Sequence, residues 1–376
     1  MRIGLDASLA GEAGSGTGRY ARLLVRHLLA LDAESEYRLY FRSQDEGQNP
    51  LRALDGPRVA SRVVDAPHPL WRVHVSLARA LRRDRVDVYH ALAFFVPWLW
   101  RGPAVVTVHD IHPVLLRRHW WWRGSRRAYL VMRLHIPLAL RRARVVLTHS
   151  AYVRDTIRAR YRLPAERIVV TPPGADPFFL APPTPEELAA AAARFGDEPF
   201  FLSVGVLAPQ KNPAGLLRAL ALLGRAGERP PPRLVLVGRS VGDYARRHLV
   251  PLVDALGLAD RVTLAGYVED GVLRALYHRA TALVMPSFGE GFGLPVLEAM
   301  AAGAPVIAAT GSSLPEVAGE AALYVDPRAP ADIAEAMDAL WHDGARRADL
   351  AARGRARALT FTWERAVARI VECYRG

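Results

Sequence analysis

The chain has 376 residues, more than one hydrophobic core usually supports, which favours two domains. Its hydrophobic share of 51% and charged share of 23% are those of an ordinary globular protein. The single cysteine, Cys373, excludes an internal disulfide, and the N-terminus lacks a signal-peptide pattern, so we expect a cytoplasmic location. The longest uncharged apolar run, residues 91–100, is half of the roughly 20 residues that span a bilayer. We therefore expect a soluble or peripheral protein.

Positive charge is concentrated in the first half of the chain. Residues 1–180 carry 29 arginines, no lysine and 15 acids, whereas residues 181–376 carry 21 basic and 22 acidic residues. The segment Trp120–Arg144 combines consecutive tryptophans with arginines, which favours contact with an anionic surface on the inner face of the membrane. A solvated helix face is the alternative for this segment. Nucleic-acid binding is disfavoured, because no zinc-finger, RNP-like or basic-zipper pattern is present.

The first half alternates short apolar runs with amphipathic stretches, which predicts βαβ units and a parallel sheet. The predicted strands are residues 2–5, 37–41, 86–90, 104–109, 145–148 and 168–171, with helices at 20–31 and 150–161. A glycine-rich stretch, Gly14-Ser15-Gly16-Thr17-Gly18-Arg19, lies between the first strand and helix. Its spacing is not Gly-x-Gly-x-x-Gly, and no ribose-binding acid follows the second strand, which disfavours a dehydrogenase. We interpret it as a loop that closes toward a ligand.

A proline cluster at residues 181–185 interrupts this alternation and predicts an inter-domain linker. The second half repeats the pattern, with strands predicted at 200–204, 233–237, 262–265, 282–285, 305–308 and 322–325. We predict an N-terminal domain at 1–180 and a C-terminal domain at 181–361. A helical pattern at about 362–376 is expected to cross back to the first domain.

The stretch SFGEGFGLPVLEAM at residues 287–300 lies between an apolar strand and a helix. With Pro295 at the first helical position, Leu294 is the predicted N-cap and supplies no side-chain oxygen to the first amides. Those free amides and the helix dipole attract phosphate, and the glycines allow close approach. Glu290 and Glu298 bracket the site, where carboxylates suit the hydroxyls of a sugar and a ribose. An exposed loop glutamate beside a first-turn glutamate is the weaker interpretation.

Two further residues are candidates for the same chemistry. Lys211 is the only lysine among 49 arginines, and it lies in the loop after the strand at 200–204, where an ammonium group suits a phosphate. His109 ends the apolar run 104–108, at the carboxyl end of a parallel strand, where α/β sheets present ligand contacts. A buried structural histidine is the alternative there. His112, His149 and Asp6 are weaker candidates.

These stretches together resemble glycosyltransferase family 4, a large retaining family with the GT-B fold. The family's Glu-x7-Glu signature looks like Glu290 to Glu298. GTGRYARLLVRHLLAL at 16–31 is similar to its N-terminal loop and helix, and VVTVHDIHP at 105–113 to its histidine-containing strand end. TPPGADPFF at 171–179 and SSLPEVAGEAALYVDP at 312–327 are also typical. The resemblance implies two facing Rossmann-like domains with a cleft between them.

Residue by residue, the resemblance implies roles for eight positions. Glu290 would contact the transferred sugar, Glu298 the ribose and Lys211 the diphosphate. His109 would lie near the reacting centre and Gly16 near the phosphates or acceptor, while the backbone at Phe292, Gly293 and Leu294 would hold the donor. The subgroup with the loop Gly-Thr-Leu-Glu-Pro-Arg-Lys-Asn often transfers mannose or related sugars in surface polysaccharide assembly. Here Gln210 replaces its phosphate-binding arginine, and Arg239 is a possible substitute.

The chemistry implied is transfer of a sugar from a nucleotide diphosphate sugar to a saccharide or lipid-linked saccharide, with retention of configuration. No metal or other cofactor is expected, because the chain has no Asp-x-Asp motif, and a helix N-terminus with Lys211 can stabilise the leaving diphosphate. Two alternatives stay open. A nucleotide-sugar 2-epimerase shares the fold but needs no acceptor. A catalytically impaired nucleotide-binding protein is suggested by Gln210.

Overall fold

The computed structural model describes residues 1–12, 14–43, 49–112, 126–226 and 230–376. The chain divides into two compact units. The first consists of Met1–Val114, Arg127–Gly174 and Thr362–Gly376, and the second contains Ala175–Phe361. Each unit is built on its own parallel sheet with helices between successive strands, so the predicted α/β class with two Rossmann-like sheets is confirmed.

The first unit contains a seven-stranded sheet. Its strands are β1 Arg2–Asp6, β2 Glu36–Phe41, β3 Val59–Val63, β4 Val88–Ala91, β5 Ala104–Thr107, β6 Val145–Thr148 and β7 Ile168–Val170. They lie in the order β3-β2-β1-β4-β5-β6-β7. The helices between them are α1 Gly16–Leu31, α2 Pro69–Trp71, α3 Ala78–Arg83, α4 Arg126–Arg142 and α5 Ala151–Tyr161, with a π-helical segment at Arg72–Leu77. The strand order reverses beside β1, so the ends of β1 and β4 meet at a switch point of the sheet.

The second unit contains a six-stranded sheet. Its helices, in chain order, are α6 Pro177–Leu180, α7 Pro185–Phe195, α8 Pro213–Ala226, α9 Val250–Ala255, α10 Asp270–Arg279, α11 Leu294–Ala302, α12 Leu314–Ala318, α13 Pro330–His342 and α14 Gly344–Ala358. Its strands are β8 Phe200–Val204, β9 Arg233–Val237, β10 Val262–Gly266, β11 Ala282–Met285, β12 Val306–Ala309 and β13 Ala322–Val325. They lie in the order β10-β9-β8-β11-β12-β13.

The strands at the centre of the second sheet, β8, β9, β11 and β12, are buried on both faces. Phe200 and Leu202 of β8 belong to one hydrophobic cluster and Phe201 between them to another, because successive side chains point to opposite faces of a sheet. Helices therefore cover both sides of this sheet, which explains why its strands read as continuous apolar runs.

The C-terminal helix α15, Trp363–Arg375, belongs to the first unit. The Arg144 guanidinium donates to the carbonyl oxygens of Cys373 and Tyr374, at 2.8 and 2.7 Å. The Tyr374 hydroxyl is 2.6 Å from Nδ1 of the buried His90. These contacts fasten the end of the chain to the first sheet.

Two local expectations differ from the structure, and a third lies partly outside the described residues. Strand β3 was not predicted, because it is an outer strand with two exposed residues and lacks an apolar run. Helix α1 begins at Gly16 and not at Tyr20, since the Ser15 side chain accepts a hydrogen bond from the Gly18 amide at 3.3 Å and caps the helix earlier. Of the segment Trp120–Arg144, residues 120–125 lie outside the described part of the chain, and α4 covers 126–142.

Candidate functional site

The loop that carries Glu290 connects β11 to α11, and its end differs from the prediction. Gly293 is the N-cap, with φ of 98°, and Leu294 is the first helical residue, so the assignment of Leu294 as N-cap is wrong. A Cβ atom at position 293 would lie 2.5 Å from the Leu314 side chain, in a backbone conformation that other residues rarely adopt. Only glycine fits here, and it lets the chain turn sharply into the helix.

The first turn of α11 keeps unused donors. The Val296 and Leu297 amides donate to the Gly293 carbonyl, at 2.9 and 3.3 Å. Among the described residues, no acceptor contacts the amides of Gly293 and Leu294. Two N–H groups at the positive end of a nine-residue helix form a favourable place for an anion.

Lys211 and Glu290 are brought together although 79 positions separate them. Lys211 ends a short 3-10 turn, Pro209–Lys211, and its Nζ lies 2.6 and 2.7 Å from the two carboxylate oxygens of Glu290. The side chains are 22% and 8% exposed. The pair places one cation and one acceptor of sugar hydroxyls at the same point of the second unit.

Gln210 has a structural role that the sequence did not reveal. Its side-chain Nε2 donates to the Gly289 carbonyl at 2.8 Å, and its backbone carbonyl accepts from the Phe288 amide at 2.9 Å. The side chain is buried. Gln210 therefore ties the lysine loop to the glutamate loop, which holds Lys211 opposite Glu290.

Glu298 and Phe292 are fixed by packing. Glu298 lies in α11, is buried, and accepts a hydrogen bond from the Tyr277 hydroxyl at 3.0 Å. The Phe292 ring is also buried and meets the Phe361 ring edge to face, at 5.8 Å between centroids. Both residues are thus held in place by contacts within the second unit.

Three serines near this loop were missed as separate candidates. The Ser313 hydroxyl donates to the Glu290 carbonyl at 3.0 Å and positions the loop. The buried hydroxyls of Ser287 and Ser312 have no hydrogen-bond partner in the described part of the chain. Ser312 also has a positive φ of 68°. No spacing pattern singles out such serines, because only the tertiary fold brings residue 312 beside the loop. They are candidates for hydrogen bonds to a ligand.

His109 lies two residues beyond β5 in the first unit and contacts His149, which follows β6. The His109 Nδ1 and His149 Nε2 atoms are 2.9 Å apart, and His109 Nε2 donates to the Leu92 carbonyl at 2.8 Å. The Tyr20 ring packs against both imidazoles, with centroids 5.2 and 4.5 Å away. Adjacent parallel strands bring the two histidines together, a pairing that sequence spacing does not show.

Burial determines the charge of these imidazoles. It lowers the pKa of His109, an effect partly opposed by its hydrogen bond to Leu92. Burial, followed by the proximity of His109, lowers the pKa of His149 to about 3. The pair is therefore neutral at physiological pH and acts through hydrogen bonds and shape.

Gly16 is the first residue of α1, directly after the Ser15 cap. Two residues on, a Cβ at Gly18 would lie 2.5 Å from the Glu12 carbonyl oxygen, so the turn leaves no room for a side chain at that position. The glycine-rich stretch is thus a capped helix N-terminus of the first unit from residue 16 onward.

The described residues contain no group of three or more His, Cys, Asp or Glu side chains arranged to hold a metal ion. Nor does any helix in the described ranges have the length and apolar character needed to span a bilayer.

Two family models match the chain. Residues 14–178 match the model described as Glycosyltransferase Family 4, and residues 185–357 match Glycosyl transferases group 1. The O-antigen chain mannosyltransferase B of Escherichia coli is 30% identical over 379 residues, covering 96% of each chain. A D-inositol 3-phosphate glycosyltransferase of Xylanimonas cellulosilytica is 35% identical over 413 residues, covering 98% of this chain and 93% of the relative.

Solved structures show the same fold at lower identity. The sucrose-phosphate synthase of Thermosynechococcus elongatus is 23% identical, with a TM-score of 0.80 over 100% of this chain and 98% of that one. HepE of Anabaena, in complex with UDP and glucose, is 20% identical, with a TM-score of 0.75 over 99% and 98% of the two chains. The lipopolysaccharide glycosyltransferase WaaG gives a TM-score of 0.73 at 17% identity, over 98% of this chain and 99% of that one.

Proposed function

This chain belongs to glycosyltransferase family 4 and is a glycosyltransferase, and we propose that it transfers a mannose-like sugar, with retention, from a nucleotide diphosphate sugar to a saccharide or lipid-linked saccharide. The carrying observation is the Lys211–Glu290 pair beside the open amides of α11. It combines a fixed cation, an anion-binding helix end and an acceptor for sugar hydroxyls in one place. In this proposal the second unit binds the donor and the first unit serves the acceptor.

The diphosphate of the donor is proposed to bind the Gly293 and Leu294 amides together with Lys211. Lys211 then exchanges part of its contact with Glu290 for phosphate oxygens, which frees the Glu290 carboxylate to accept hydroxyls of the sugar. Glu298 would accept the ribose hydroxyls. The neutral imidazole of His109 would orient the sugar near the anomeric carbon, and Gly16 would allow backbone approach.

The proposed reaction breaks the bond between the anomeric carbon and the diphosphate oxygen and forms a bond to the acceptor oxygen on the same face. The acceptor proton passes to the leaving phosphate. Lys211 and the helix dipole stabilise the negative charge that develops on that phosphate, without reorganisation at the moment of reaction. No resident metal or cofactor is required in this scheme.

The sugar and the cellular role are inferred from relatives. A full-length relative is named an O-antigen chain mannosyltransferase, which supports a mannose-like sugar in cell-surface polysaccharide assembly. HepE was solved with UDP-glucose, which supports a nucleotide diphosphate sugar as donor. A lipid-linked acceptor would place the protein on the inner face of the membrane, where Trp120–Arg144 would contact anionic lipids.

The first test measures thermal stabilisation of the purified protein by GDP, UDP, ADP and TDP and their sugars, with and without EDTA. We expect one nucleotide series to raise the melting temperature equally in both conditions, since binding to the native state stabilises it. Lys211→Ala should lose this shift, whereas Arg346→Gln, at an exposed arginine of the same unit, should keep it. Absence of any shift would overturn the donor site, and a shift abolished by EDTA would overturn the metal-independent scheme.

A catalytically impaired nucleotide-binding protein is the second candidate, favoured by one observation. Gln210 is buried against the loop and supplies no cation to a phosphate. Arg239 is the proposed substitute: its carbonyl accepts from the Leu207 amide at 2.9 Å, beside the lysine loop, and its guanidinium lies over the Tyr267 ring at 5.3 Å. If Arg239→Gln lost sugar transfer but kept nucleotide binding, that result would support the proposal that Arg239 replaces the arginine of the motif. Nucleotide binding without any transfer by the native protein would favour the impaired protein.

A further inference from the structure

A long stretch of the sequence carries only positive charge. Residues 111–154 contain ten arginines and neither aspartate nor glutamate. The stretch includes all of α4 and the start of α5. Uncompensated charge of this density attracts anions, and the structure brings several of these arginines together.

A cavity of about 360 Å³ opens between α4 and the end of α5. We call it the arginine pocket; its lining residues are Arg133, Pro137, Arg141, Arg160, Tyr161 and Arg162. The first three are spaced by four residues and therefore share one face of α4. Arg162 caps α5 in the left-handed conformation, with φ of 54°, and Arg160 lies 5.3 Å over the Tyr161 ring. Two elements thus bring four guanidinium groups around one space.

The four arginines of this pocket are not neutralised. None of them makes an ion pair in the described part of the chain. The nearest acid along α5, Asp155, contacts Arg154 at 2.9 Å and Arg158 at 3.7 Å. Arginines near helix C-termini are favoured by the helix dipole, but each dipole end is equivalent to about half a charge and offsets only part of four guanidinium groups. The pocket therefore keeps a net positive field.

Guanidinium groups in this arrangement suit phosphate oxygens, which they bind through paired N–H donors. The surface of α4 indicates where the phosphate comes from. Leu130 and Leu134, one turn apart, are 53% and 69% exposed and lie on the face of α4 that lines the pocket. A small anion in water needs no exposed apolar side chains, whereas a lipid offers a phosphate with acyl chains beside it.

We propose that the arginine pocket binds the phosphate of an anionic lipid headgroup while Leu130 and Leu134 enter the adjacent bilayer interface. The inference deepens the proposed function, because it rests on the proposal that transfer takes place at a membrane. The sequence alone indicates only a basic surface at Trp120–Arg144. The pocket gives the lipid phosphate a defined binding site, and it includes Arg160 and Arg162, which lie outside that segment.

The test compares Arg160→Gln/Arg162→Gln with the native protein in sedimentation with phosphatidylcholine vesicles that contain or lack phosphatidylglycerol. Two lost charges near an anionic surface are expected to weaken binding about 30-fold. The control, Arg26→Gln/Arg346→Gln, removes the same charge from exposed arginines of α1 and α14 and should bind like the native protein. Equal weakening in the two double variants would show diffuse attraction and overturn the pocket.

Further measurements separate the remaining outcomes. Arg133→Gln/Arg141→Gln tests the same pocket from α4 if the first variant is unstable, and Leu134→Ser should weaken vesicle binding without changing charge. Inorganic phosphate at matched ionic strength should compete only weakly; calorimetric binding of phosphate without vesicle binding would overturn the lipid as source. Nucleotide-induced stabilisation should be the same in all these variants, so its absence in the native protein would reject the donor site and not the pocket.

Discussion

The two units prepare their candidate ligand-binding residues in different ways. In the second unit, Lys211 and Glu290 form an ion pair, with 2.6 Å between the lysine Nζ and a carboxylate oxygen. In the first unit, His109 and His149 lie 2.9 Å apart and are kept neutral by burial. The contrast follows from how each site treats charge. An ion pair compensates charge locally, whereas burial disfavours the protonated imidazoles more than nearby Asp110 favours protonation of His109. In the proposed function, the charged pair of the second unit meets the diphosphate and the sugar hydroxyls, whereas the neutral imidazoles of the first unit contact only uncharged groups.

The largest expected effect comes from removing the cation of the Lys211–Glu290 pair. Lys211→Ala removes the cation proposed to stabilise the leaving diphosphate, and we expect kcat/KM for sugar transfer to fall about a hundredfold to a thousandfold. Steady-state transfer assays against Arg346→Gln as control measure this effect. Turnover and donor affinity at the native level would show that Lys211 does not contact the diphosphate.

Gly293→Ala breaks the backbone that presents the amides to the anion. A side chain there meets Leu314 and imposes a strained φ, so the free energy of unfolding should fall by about 2 kcal/mol. Urea denaturation of this variant is compared with Gly311→Ala, where no atom lies within 4 Å of the added Cβ. Gly311→Ala should change stability by less than about 0.5 kcal/mol. Equal stability of the two variants would contradict the assigned strain.

The dependence of stability on pH tests whether the buried histidines of the first unit are neutral. The pKa of His149 is about 3 in the folded protein and near 6.5 when unfolded, so the unfolded chain binds the extra proton first. The contribution of the neutral His149 imidazole to the free energy of unfolding is therefore complete above pH 6.5 and is lost as the pH falls toward 3. His149→Asn should make this decline shallower by about 1 kcal/mol per pH unit, measured by urea denaturation between pH 6 and 4. The exposed His278→Asn is the control, and an equally steep decline in both variants would refute a buried neutral imidazole.

Tyr277→Phe gives the smallest expected effect. It removes the 3.0 Å hydrogen bond to the buried Glu298 and should lower the free energy of unfolding by about 1 kcal/mol. If Glu298 holds the ribose, KM for the donor should rise more than kcat falls. Tyr267→Phe is the matched control, because the Tyr267 hydroxyl has no hydrogen-bond partner among the described residues. A fall in kcat alone would argue against the ribose role.

Local sequence patterns predict some strands and helix ends correctly and others not. Strands β8, β9, β11 and β13 lie where the apolar runs predicted them, because strands buried on both faces read as continuous hydrophobic segments. The outer strand β3 was missed because it has no such run. The predicted N-cap of α11 was wrong by one residue, since a glycine in the left-handed conformation ends the loop, and Leu314, 21 positions away, leaves no room for a side chain there.

The sequence by itself determined the repeated βαβ architecture and the family, and it indicated the side chains that we propose bind a nucleotide diphosphate sugar. These follow from periodicity and residue type, which are local properties. Only the tertiary structure decided that Lys211 meets Glu290, that Gln210 ties their loops together, that His149 supports His109, and that four arginines surround one cavity. Such pairings depend on the order of strands in a sheet and on helix packing, which bring residues together without regard to their separation along the chain.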